Sequence, residues 1–312
     1  MDIINAPPKE YLIQFPKPYH IFNTVEFNQL NQSKVDEVNY LLFKDNKVRF
    51  GLIVGLKDNS IKSPFSAPFG GFSFKDEGVQ ISKIEEALKT FDDYCIEHKI
   101  DLVKLVIPPN IYNNNFINKY ISCLFRQGYK QEYLDLNFSF NTKLFDNNYL
   151  NNIWRNARKN YHISEKNKFQ FKKTNSLDQI NLAYQIIQKN RESKGFPLRM
   201  SLEQVLDTIK IIKSDSFLVY LDNQVVASAI VFYIQEKIVQ VIYWGDLPEF
   251  YHHKTMNFLS YKVFEYYQKL GIDIVDIGPS TDEGNPNYGL CEFKESIGCE
   301  ISLKYTFSKN FL

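Results

Sequence analysis

Alternating apolar and polar positions predict strands around two helices in the first half of the chain. Val38–Phe43 and Val48–Leu56 alternate on either side of a turn containing Asp45 and Asn46, which is typical of a β-hairpin. Apolar residues then recur at helical spacing over Ile81–His98. The other predicted elements are strands at Ser66–Phe74, Leu102–Ile107 and Tyr133–Phe140 and a helix at Ile117–Gln127.

The second half repeats this order of elements after a helix predicted over Leu150–Glu165. The remaining predicted helices are Leu177–Lys194, Leu202–Lys213, Thr255–Leu270 and Gly289–Ile297, and the predicted strands are Phe169–Lys173, Phe217–Leu221, Val225–Tyr233, Ile238–Trp244, Ile272–Ile277 and Ile301–Phe307. Because both halves show the same succession of strands and helices, the pattern indicates a structural duplication.

Hairpins combined with strand–helix–strand crossovers predict an α/β fold with mixed sheets (α+β), in which clefts form where neighbouring strands diverge. The chain has 312 residues, about twice the length of an average domain. We therefore expect two domains, residues 1–145 and 146–312.

Composition narrows the class of protein. With 44% hydrophobic and 15% aromatic residues the chain is globular, which excludes disordered, collagen-like and coiled-coil proteins. The net charge is +1, so any basic binding site must be local. The four cysteines form no Cys-x-x-Cys pair, the N-terminus lacks the apolar core of a signal peptide, and the longest apolar runs are strand-sized. These features predict a cytoplasmic protein with no transmembrane segment.

Several kinds of catalytic site lack sequence support. The chain has no Gly-x-Ser-x-Gly motif and no P-loop, which argues against covalent hydrolases and NTPases. His252 and His253 are adjacent, and no third ligand follows at the spacing of one helix face. We therefore expect no metal site.

Four segments together resemble Fem-type peptidyl and acyl transferases, which belong to the GNAT superfamily and carry two GNAT domains in tandem. These segments are Ser63–Phe72, Asn190–Gly195, Asp276–Ser280 and Gly289–Gly298, and they occur in the same order and spacing as in that family. The resemblance implies an acyltransferase that moves an acyl or aminoacyl group from acyl-CoA or aminoacyl-tRNA to an amine. The implied acceptor is a cell-envelope precursor, either an amino sugar nucleotide or a peptidoglycan peptide.

The resemblance also implies partners. No cofactor is expected to be tightly bound, since acyl-CoA or aminoacyl-tRNA serves as a co-substrate. A tRNA donor would make nucleic acid a partner, and a lipid-linked acceptor would bring the protein into peripheral contact with a membrane.

The strand Ile238–Trp244, the following loop and the helix at Thr255 form an arrangement that binds pyrophosphate at the helix N-terminus. GNAT enzymes that use coenzyme A usually have spaced glycines in this loop, whereas Tyr251–Met256 contains none. His253, Lys254 and the Thr255 hydroxyl are candidate phosphate ligands. The alternative is a polar helix cap on a surface loop.

A basic and aromatic segment, Trp154–Lys173, is a second candidate for phosphate binding, because interleaved cations and rings grip a phosphate backbone and stack on bases. Arg158 and Lys159 are its central candidates. The alternative is a solvated linker helix that packs Trp154 into the core.

Candidate acceptor ligands lie in the segments that carry the resemblance. Arg191 and Lys194 end a helix, where cations also have a structural role opposite the helix dipole. Lys294 follows Phe293, as in the family's Phe-Lys pair, and is a candidate for holding an anionic acceptor, the alternative being an exposed lysine on a short helix. Phe69 and Gly70 form either a strand bulge or a point of close substrate approach.

Acyl transfer to an amine needs backbone N–H donors near diverging strands and a route for the amine proton. Ile238–Trp244 and Ile272–Ile277 are the expected diverging strands, with Tyr243, Asp276 and Ser280 at their ends. Asp276 is the candidate base or amine-orienting group and Tyr243 a second catalytic candidate, although a carboxylate in this position often caps a neighbouring loop.

A function of another class also fits: a non-catalytic GNAT-fold binding module that has lost its donor site, which the glycine-free loop favours.

Overall fold

The predicted hairpin lies within a mixed sheet. In the computed structural model, which describes residues 1–174 and 176–311, β2 (Glu37–Lys44) pairs antiparallel with β3 (Val48–Lys57). The residues at the centre of both strands are buried on both faces, so they read as continuous apolar runs. The turn between them contains Asp45, whose carboxylate accepts a hydrogen bond from the Lys47 N–H.

The chain forms two compact units. Unit 1 comprises Met1–Leu136, Thr281–Asn285 and the chain from Ser302 onward, and unit 2 comprises Asn137–Ser280 and Pro286–Ile301. Division of the chain into domains at residue 145 stays a prediction.

Unit 1 has the sheet order β1-β2-β3-β4-β6-β15, and β5 also pairs with β3. Strands β4 and β6 pair in parallel, and the other strand pairs of known register are antiparallel. Its other elements are β1 (Asp2–Asn5), α1 (Pro8–Gln14), α2 (Val25–Leu30), β4 (Ser60–Ser63), β5 (Ser73–Phe74), α3 (Ile81–Glu97), β6 (Leu102–Val106), α4 (Asn114–Arg126), the start of β7 (Lys130–Asn141) and most of β15 (Glu300–Asn310).

The strand predicted over Ser66–Phe74 is wrong. The strands in this region are β4 and β5, and the chain between them bends. Pro68 interrupts the segment because proline has no N–H for a ladder hydrogen bond, and Pro64 directly follows the end of β4. The predicted elements also omit β1, α1 and α2. Helix α2 begins where the Thr24 side chain accepts a hydrogen bond from the Phe27 N–H.

Unit 2 has the sheet order β7-β12-β11-β10-β9-β8. Among its described residues β11 and β12 pair in parallel, and the other neighbouring strands pair antiparallel. Its other elements are α5 (Tyr149–Asn152), α6 (Arg155–Glu165), β8 (Gln170–Thr174), α7 (Leu177–Ser193), α8 (Leu202–Ile211), β9 (Ser214–Leu221), β10 (Gln224–Gln235), β11 (Ile238–Asp246), α9 (Thr255–Lys269), β12 (Ile274–Pro279) and α10 (Tyr288–Ser296). The short strands β13 (Thr281–Asp282) and β14 (Asn285–Pro286) form a separate hairpin.

The helix predicted over Leu150–Glu165 is two helices. Ile153 is extended between α5 and α6, and the Trp154 N–H donates to the Ser296 carbonyl instead of continuing a helix. Trp154 is 47% exposed, so the alternative in which it packs into the core is wrong. Ala157, Tyr161 and Ser164 are the buried residues of α6. No helix within residues 1–174 and 176–311 has the length and apolar character to cross a bilayer.

Candidate active site

The two strands expected to diverge do so in unit 2. β11 and β12 pair in parallel from Ile238 with Ile274 to Gln240 with Asp276, the last pair in the described chain. Beyond it both strands bulge: Ile242 has no counterpart on β10, and Ile277 has none on β7. The register shifts release backbone N–H and C=O groups at this point, which we call the strand divergence.

Asp276 lies at the last shared pair and is fully buried. Its carboxylate accepts hydrogen bonds from Asn137 Nδ2 on β7 at 2.9 Å, Gln240 Nε2 on β11 at 2.8 Å and the Gly278 N–H on β12 at 2.8 Å. The bond from Gly278 is the local cap that the sequence left open as an alternative. Asp276 therefore ties three strands together where they separate, and its catalytic role stays a prediction.

Lys294 of α10 holds the free end of β12. Its ammonium donates to the carbonyl oxygens of Ile277, Gly278 and Pro279 at 2.9, 2.8 and 3.1 Å. The side chain is 2% exposed, so the alternative of an exposed lysine on a short helix is wrong. Burial lowers its pKa to about 8. Since an ammonium has three N–H donors, this contact uses all of them.

Two buried polar atoms at the strand divergence have no hydrogen-bond partner among the described residues. They are Ser280 Oγ and Gln240 Oε1. Buried polar atoms are normally paired, so these two are candidates for hydrogen bonds to a polar group of a substrate. Ser280 was predicted as a substrate ligand from its position at the end of β12.

A second group of polar residues lies at the C-terminal end of β11, and we call it the β11 cluster. Its members are Asn190, Arg191 and Lys194 from the end of α7, Asp246 from β11 and Tyr251 from the turn Pro248–His253. Asn190 Nδ2 donates to the Asp246 carbonyl at 2.7 Å, to Asp246 Oδ1 at 3.3 Å and to the Tyr251 hydroxyl at 3.3 Å. The Lys194 ammonium lies 5.4 Å from the centre of the Tyr251 ring.

Glycine is required at position 245 for this contact. A Cβ there would lie 2.7 Å from Cγ and 2.8 Å from Cβ of Asn190. Helix α7 therefore approaches β11 closely only because Gly245 has no side chain, and the approach places Asn190 on Asp246.

Asp246 is not among the residues predicted from the sequence. It is buried, and burial raises the pKa of its carboxyl to about 7, opposed by the positive charge of Lys194. A carboxyl group that titrates near neutral pH is suited to accept and release a proton. The available signal was an aspartate directly after the strand Ile238–Trp244, next to a glycine.

Arg191 and Tyr243 are brought near each other. Burial lowers the pKa of Arg191, and the Tyr243 side chain acts in the opposite direction. The Tyr243 hydroxyl accepts a hydrogen bond from the Met200 N–H at 3.2 Å, and burial raises its pKa. Among the described residues the Tyr243 hydroxyl is seen as an acceptor, and its catalytic role stays a prediction.

The loop before α9 has the predicted strand–turn–helix geometry. Lys254 precedes the helix in the left-handed region at φ 59°, and no side chain caps the helix N-terminus. The buried Thr255 hydroxyl donates to the Phe250 carbonyl at 3.1 Å, and His253 Nδ1 lies 2.6 Å from Asn167 Oδ1. Of the three predicted phosphate ligands, Thr255 and His253 thus make internal contacts, and no contact of the Lys254 side chain is seen in the described structure.

Arg158 and Lys159 lie on α6, and Lys159 is exposed. Arg158 Nη1 approaches the Leu150 carbonyl at 3.5 Å. Asn167, two residues beyond α6, contacts His253, so the end of this helix lies beside the N-terminus of α9. Not every cation of the basic segment is available to a phosphate, because the Lys173 ammonium forms an ion pair with Asp215 at 2.6 Å.

Phe69 and Gly70 belong to unit 1. The Phe69 ring is buried against the rings of His20, Phe22 and Tyr112. The Gly70 N–H donates to the Val106 carbonyl, and a Cβ on Gly70 would lie 2.7 Å from Ser63 Oγ. Core packing thus accounts for both residues, and their substrate contact stays a prediction. In the described parts of the chain, no three His, Cys, Asp or Glu side chains are grouped to hold a metal ion.

Comparison with known proteins establishes the fold. No protein-family model matches the sequence, and no curated protein matches it. Among solved structures the chain is similar to FemX, with a TM-score of 0.72 and 12% identity over 100% of this chain and 98% of that chain. It is similar to L-PGS from Bacillus licheniformis (TM-score 0.61, 12% identity, 99% and 93% covered) and to a tandem GNAT protein from the clavulanic acid biosynthesis pathway (TM-score 0.51, 8% identity, 88% and 83% covered). The chain has a Fem-type tandem GNAT fold, which confirms the fold expected from the sequence.

Proposed function

We propose that this protein is an N-acyltransferase that moves an acyl or aminoacyl group onto an amine, with its active site in unit 2, extending along β11 from the strand divergence to the β11 cluster. The observation that carries the proposal is the end of pairing between β11 and β12 at Gln240 and Asp276, beside buried polar atoms that lack partners. The fold shared with FemX and with a tandem GNAT protein supports the same class of reaction.

In the proposed reaction the amine nitrogen attacks the carbonyl carbon of a thioester or ester. The C–N bond forms, the C–S or C–O bond breaks, and one amine proton must leave. Asp246, with a pKa of about 7, is the group best suited to accept that proton near neutral pH. Asp276 stays a proposed amine-orienting residue, and Tyr243 has a hydroxyl proton to donate to the developing oxyanion or to the leaving group.

The proposed donor is acyl-CoA or aminoacyl-tRNA, whose phosphates would meet the uncapped N-terminus of α9 with His253, Lys254 and Thr255. Arg158 and Lys159 would extend this surface for a tRNA donor. Arg191, Lys194 and Ser280 are the proposed acceptor ligands. Lys294 contributes by holding the end of β12, because its donors are already used.

The proposed acceptor is an amine of a cell-envelope precursor, either an amino sugar nucleotide or a peptidoglycan peptide. The reaction would take place in the cytoplasm, and a lipid-linked acceptor would bring the protein to the membrane surface.

Donor binding followed by single-turnover transfer tests this proposal. Calorimetric titration with acetyl-CoA and gel shift with a mixture of aminoacyl-tRNAs identify the donor. Transfer is then measured for the wild type, Asp246→Asn, Asp276→Asn and Tyr243→Phe, together with the melting temperature of each. Loss of transfer with unchanged melting temperature assigns a residue to the chemistry, and an intact transfer rate per folded molecule withdraws the assignment.

The loop before α9 favours the second candidate function, a GNAT-fold binding module without catalysis. The loop at Tyr251–Met256 lacks glycine, and the Thr255 hydroxyl is bonded to the Phe250 carbonyl instead of facing a donor phosphate. Such a module would bind an amine ligand and give no transfer with either donor.

A further inference from the structure

Unit 1 contains a cavity of about 350 Å³ that the proposed reaction does not use. One wall is the outer edge of β2 from Glu37 to Tyr40. The opposite walls are the Ala6–Pro8 segment before α1 and the side chains of Gln29 and Gln32.

The edge of β2 is left unpaired at this cavity. β1 pairs with β2 only from Asp2 with Lys44 to Asn5 with Leu41. The chain then turns away at Pro7 and Pro8, which cannot donate to a ladder. Residues Glu37–Tyr40 therefore have β3 on one side and no strand of the described chain on the other.

The backbone of Val38 faces this open side. The Tyr40 N–H donates to Asn5 Oδ1 at 3.2 Å and the Tyr40 carbonyl accepts from the Ala6 N–H at 2.9 Å, so the Tyr40 backbone groups point away from β3. Alternate residues of an antiparallel strand direct these groups to the same side. The N–H and C=O of Val38 thus form a donor and acceptor pair directed into the cavity, as at a strand edge that receives another strand.

The cavity carries negative charge and amides. Glu37 is an exposed carboxylate in the wall, and the described lining contains no lysine or arginine. Glu26 acts on the adjacent Tyr40, whose pKa is raised to about 12, mainly by burial and further by this negative charge. Lys34, which is close in sequence, donates instead to Asn31 and Ser66. Asn5 and Asn39 are joined by a 2.6 Å hydrogen bond that fixes the cavity floor.

We infer that this cavity binds a short extended peptide with basic side chains, which adds to the edge of β2 opposite Val38. The peptide backbone exchanges two hydrogen bonds with Val38, and a flanking lysine ammonium meets Glu37. This site is separate from the strand divergence in unit 2, and the inference does not depend on the proposed transfer reaction.

The probe is the blocked tripeptide acetyl-Lys-Ala-Lys-amide, which in antiparallel pairing places alanine opposite Val38 and a lysine opposite Glu37. Its control is the same peptide with the alanine nitrogen methylated, which removes the N–H that would donate to the Val38 carbonyl. Titration followed by ¹H–¹⁵N NMR should show a saturable shift of the Val38 amide with a Kd of about 1 mM or below, and binding of the methylated peptide at least about tenfold weaker.

Two variants locate the contact. Glu37→Gln should weaken binding of the lysine peptide about threefold and leave acetyl-Ala-Ala-Ala-amide unaffected. Val38→Pro removes the edge N–H at a position where a strand tolerates proline, and should abolish binding at an unchanged melting temperature. If Val38→Pro does not fold, the two peptides on the wild type decide the matter. The absence of a saturable Val38 shift up to about 10 mM, or equal affinity for both peptides, would overturn the inference.

Discussion

The side-chain amide of Asn190 donates hydrogen bonds to both the backbone carbonyl and Oδ1 of Asp246, at 2.7 and 3.3 Å. Two elements far apart in sequence, the end of α7 and the end of β11, meet in this contact, and Gly245 makes the approach possible. A carboxyl group that titrates near pH 7 is thereby fixed in place near the positive charge of Lys194.

The first prediction concerns Asp246. The transfer rate should rise with pH through about 7 as the carboxyl ionises, and Asp246→Asn should lower the rate by roughly a hundredfold and abolish this inflection. The raised pKa of Asp246 means that its contribution to folding is lost as pH rises through 7. Asp246→Asn should therefore be at least as stable as the wild type at about pH 8. Single-turnover rates between about pH 5.5 and 8.5 and urea unfolding provide the two readouts.

Lys194→Met serves as the companion variant. Lys194 lowers the pKa of Asp246, so its removal should move the inflection of the rate to higher pH. Because Lys194 is also a proposed acceptor ligand, the two pH profiles are compared at saturating acceptor. An unchanged pH profile in both variants would show that Asp246 takes no part in the reaction.

A second prediction concerns the free end of β12. Lys294→Met removes the three donors that satisfy the carbonyls of Ile277, Gly278 and Pro279, and buried groups left unpaired each cost about 1–3 kcal/mol. Urea unfolding should show a loss of about 3 kcal/mol or more. Lys210→Met, on an exposed lysine, should stay within about 0.5 kcal/mol of the wild type. Wild-type stability combined with lost transfer would instead make Lys294 an acceptor ligand.

The third prediction follows from His20 in unit 1. The ring is buried among those of Tyr19, Phe22 and Phe69, and burial lowers its pKa from 6.5 to about 3. Because this folded-state pKa is depressed, the unfolded chain takes up a proton below pH 6.5 that the folded protein does not. The free energy of unfolding therefore decreases as the pH is lowered below 6.5.

His20→Phe should remove this dependence. The free energy of unfolding of the wild type, relative to the variant, should decrease by about 2 kcal/mol between pH 6.5 and about pH 4.5. If the free energies of unfolding of the wild type and His20→Phe changed equally with pH, the buried ring would take up its proton in the folded protein as well.

The fourth prediction concerns α6. Arg158→Ala with Lys159→Ala should weaken binding of the phosphate-bearing donor and reduce the slope of log affinity against log salt by about one unit per lost contact. Lys210→Ala with Lys269→Ala removes two exposed charges elsewhere in unit 2 and should change neither quantity. If the α6 variant behaves like this control, the basic segment is a solvated surface.

Local patterns in the sequence were sufficient for most of the elements of both units. The hairpin β2–β3 and the helices α3, α7 and α9 follow from apolar periodicity, which records directly which face of an element is buried. Periodicity failed over Ser66–Phe74, because proline and close packing at Gly70 override an apolar run, and at Ile153, where the Trp154 N–H bonds to a residue distant in sequence.

The candidate site was harder to predict for a related reason. Tyr243, Asp276 and Ser280 could be placed at strand ends, since chain order determines where neighbouring strands end. Whether a side chain is exposed, bonded or shifted in pKa depends on contacts between distant segments. The sequence left Lys294 as either an acceptor ligand or an exposed lysine, because the carbonyls that it contacts lie on another element, β12. Asp246 was not recognised, because the positive charge of Lys194 that acts on it follows α7.

Transfer of label from donor to amine tests the central claim most directly. Purified protein is incubated with ¹⁴C-acetyl-CoA or with ¹⁴C-aminoacyl-tRNA, each with an amino sugar nucleotide or a lysine-containing peptidoglycan peptide as acceptor. The product is then treated with neutral hydroxylamine, which cleaves thioesters and activated esters and leaves amides intact. The account predicts protein-dependent, hydroxylamine-resistant label on the acceptor from one donor, and its loss in Asp246→Asn. Saturable binding of acceptor with no resistant label from either donor would contradict it and leave a binding module.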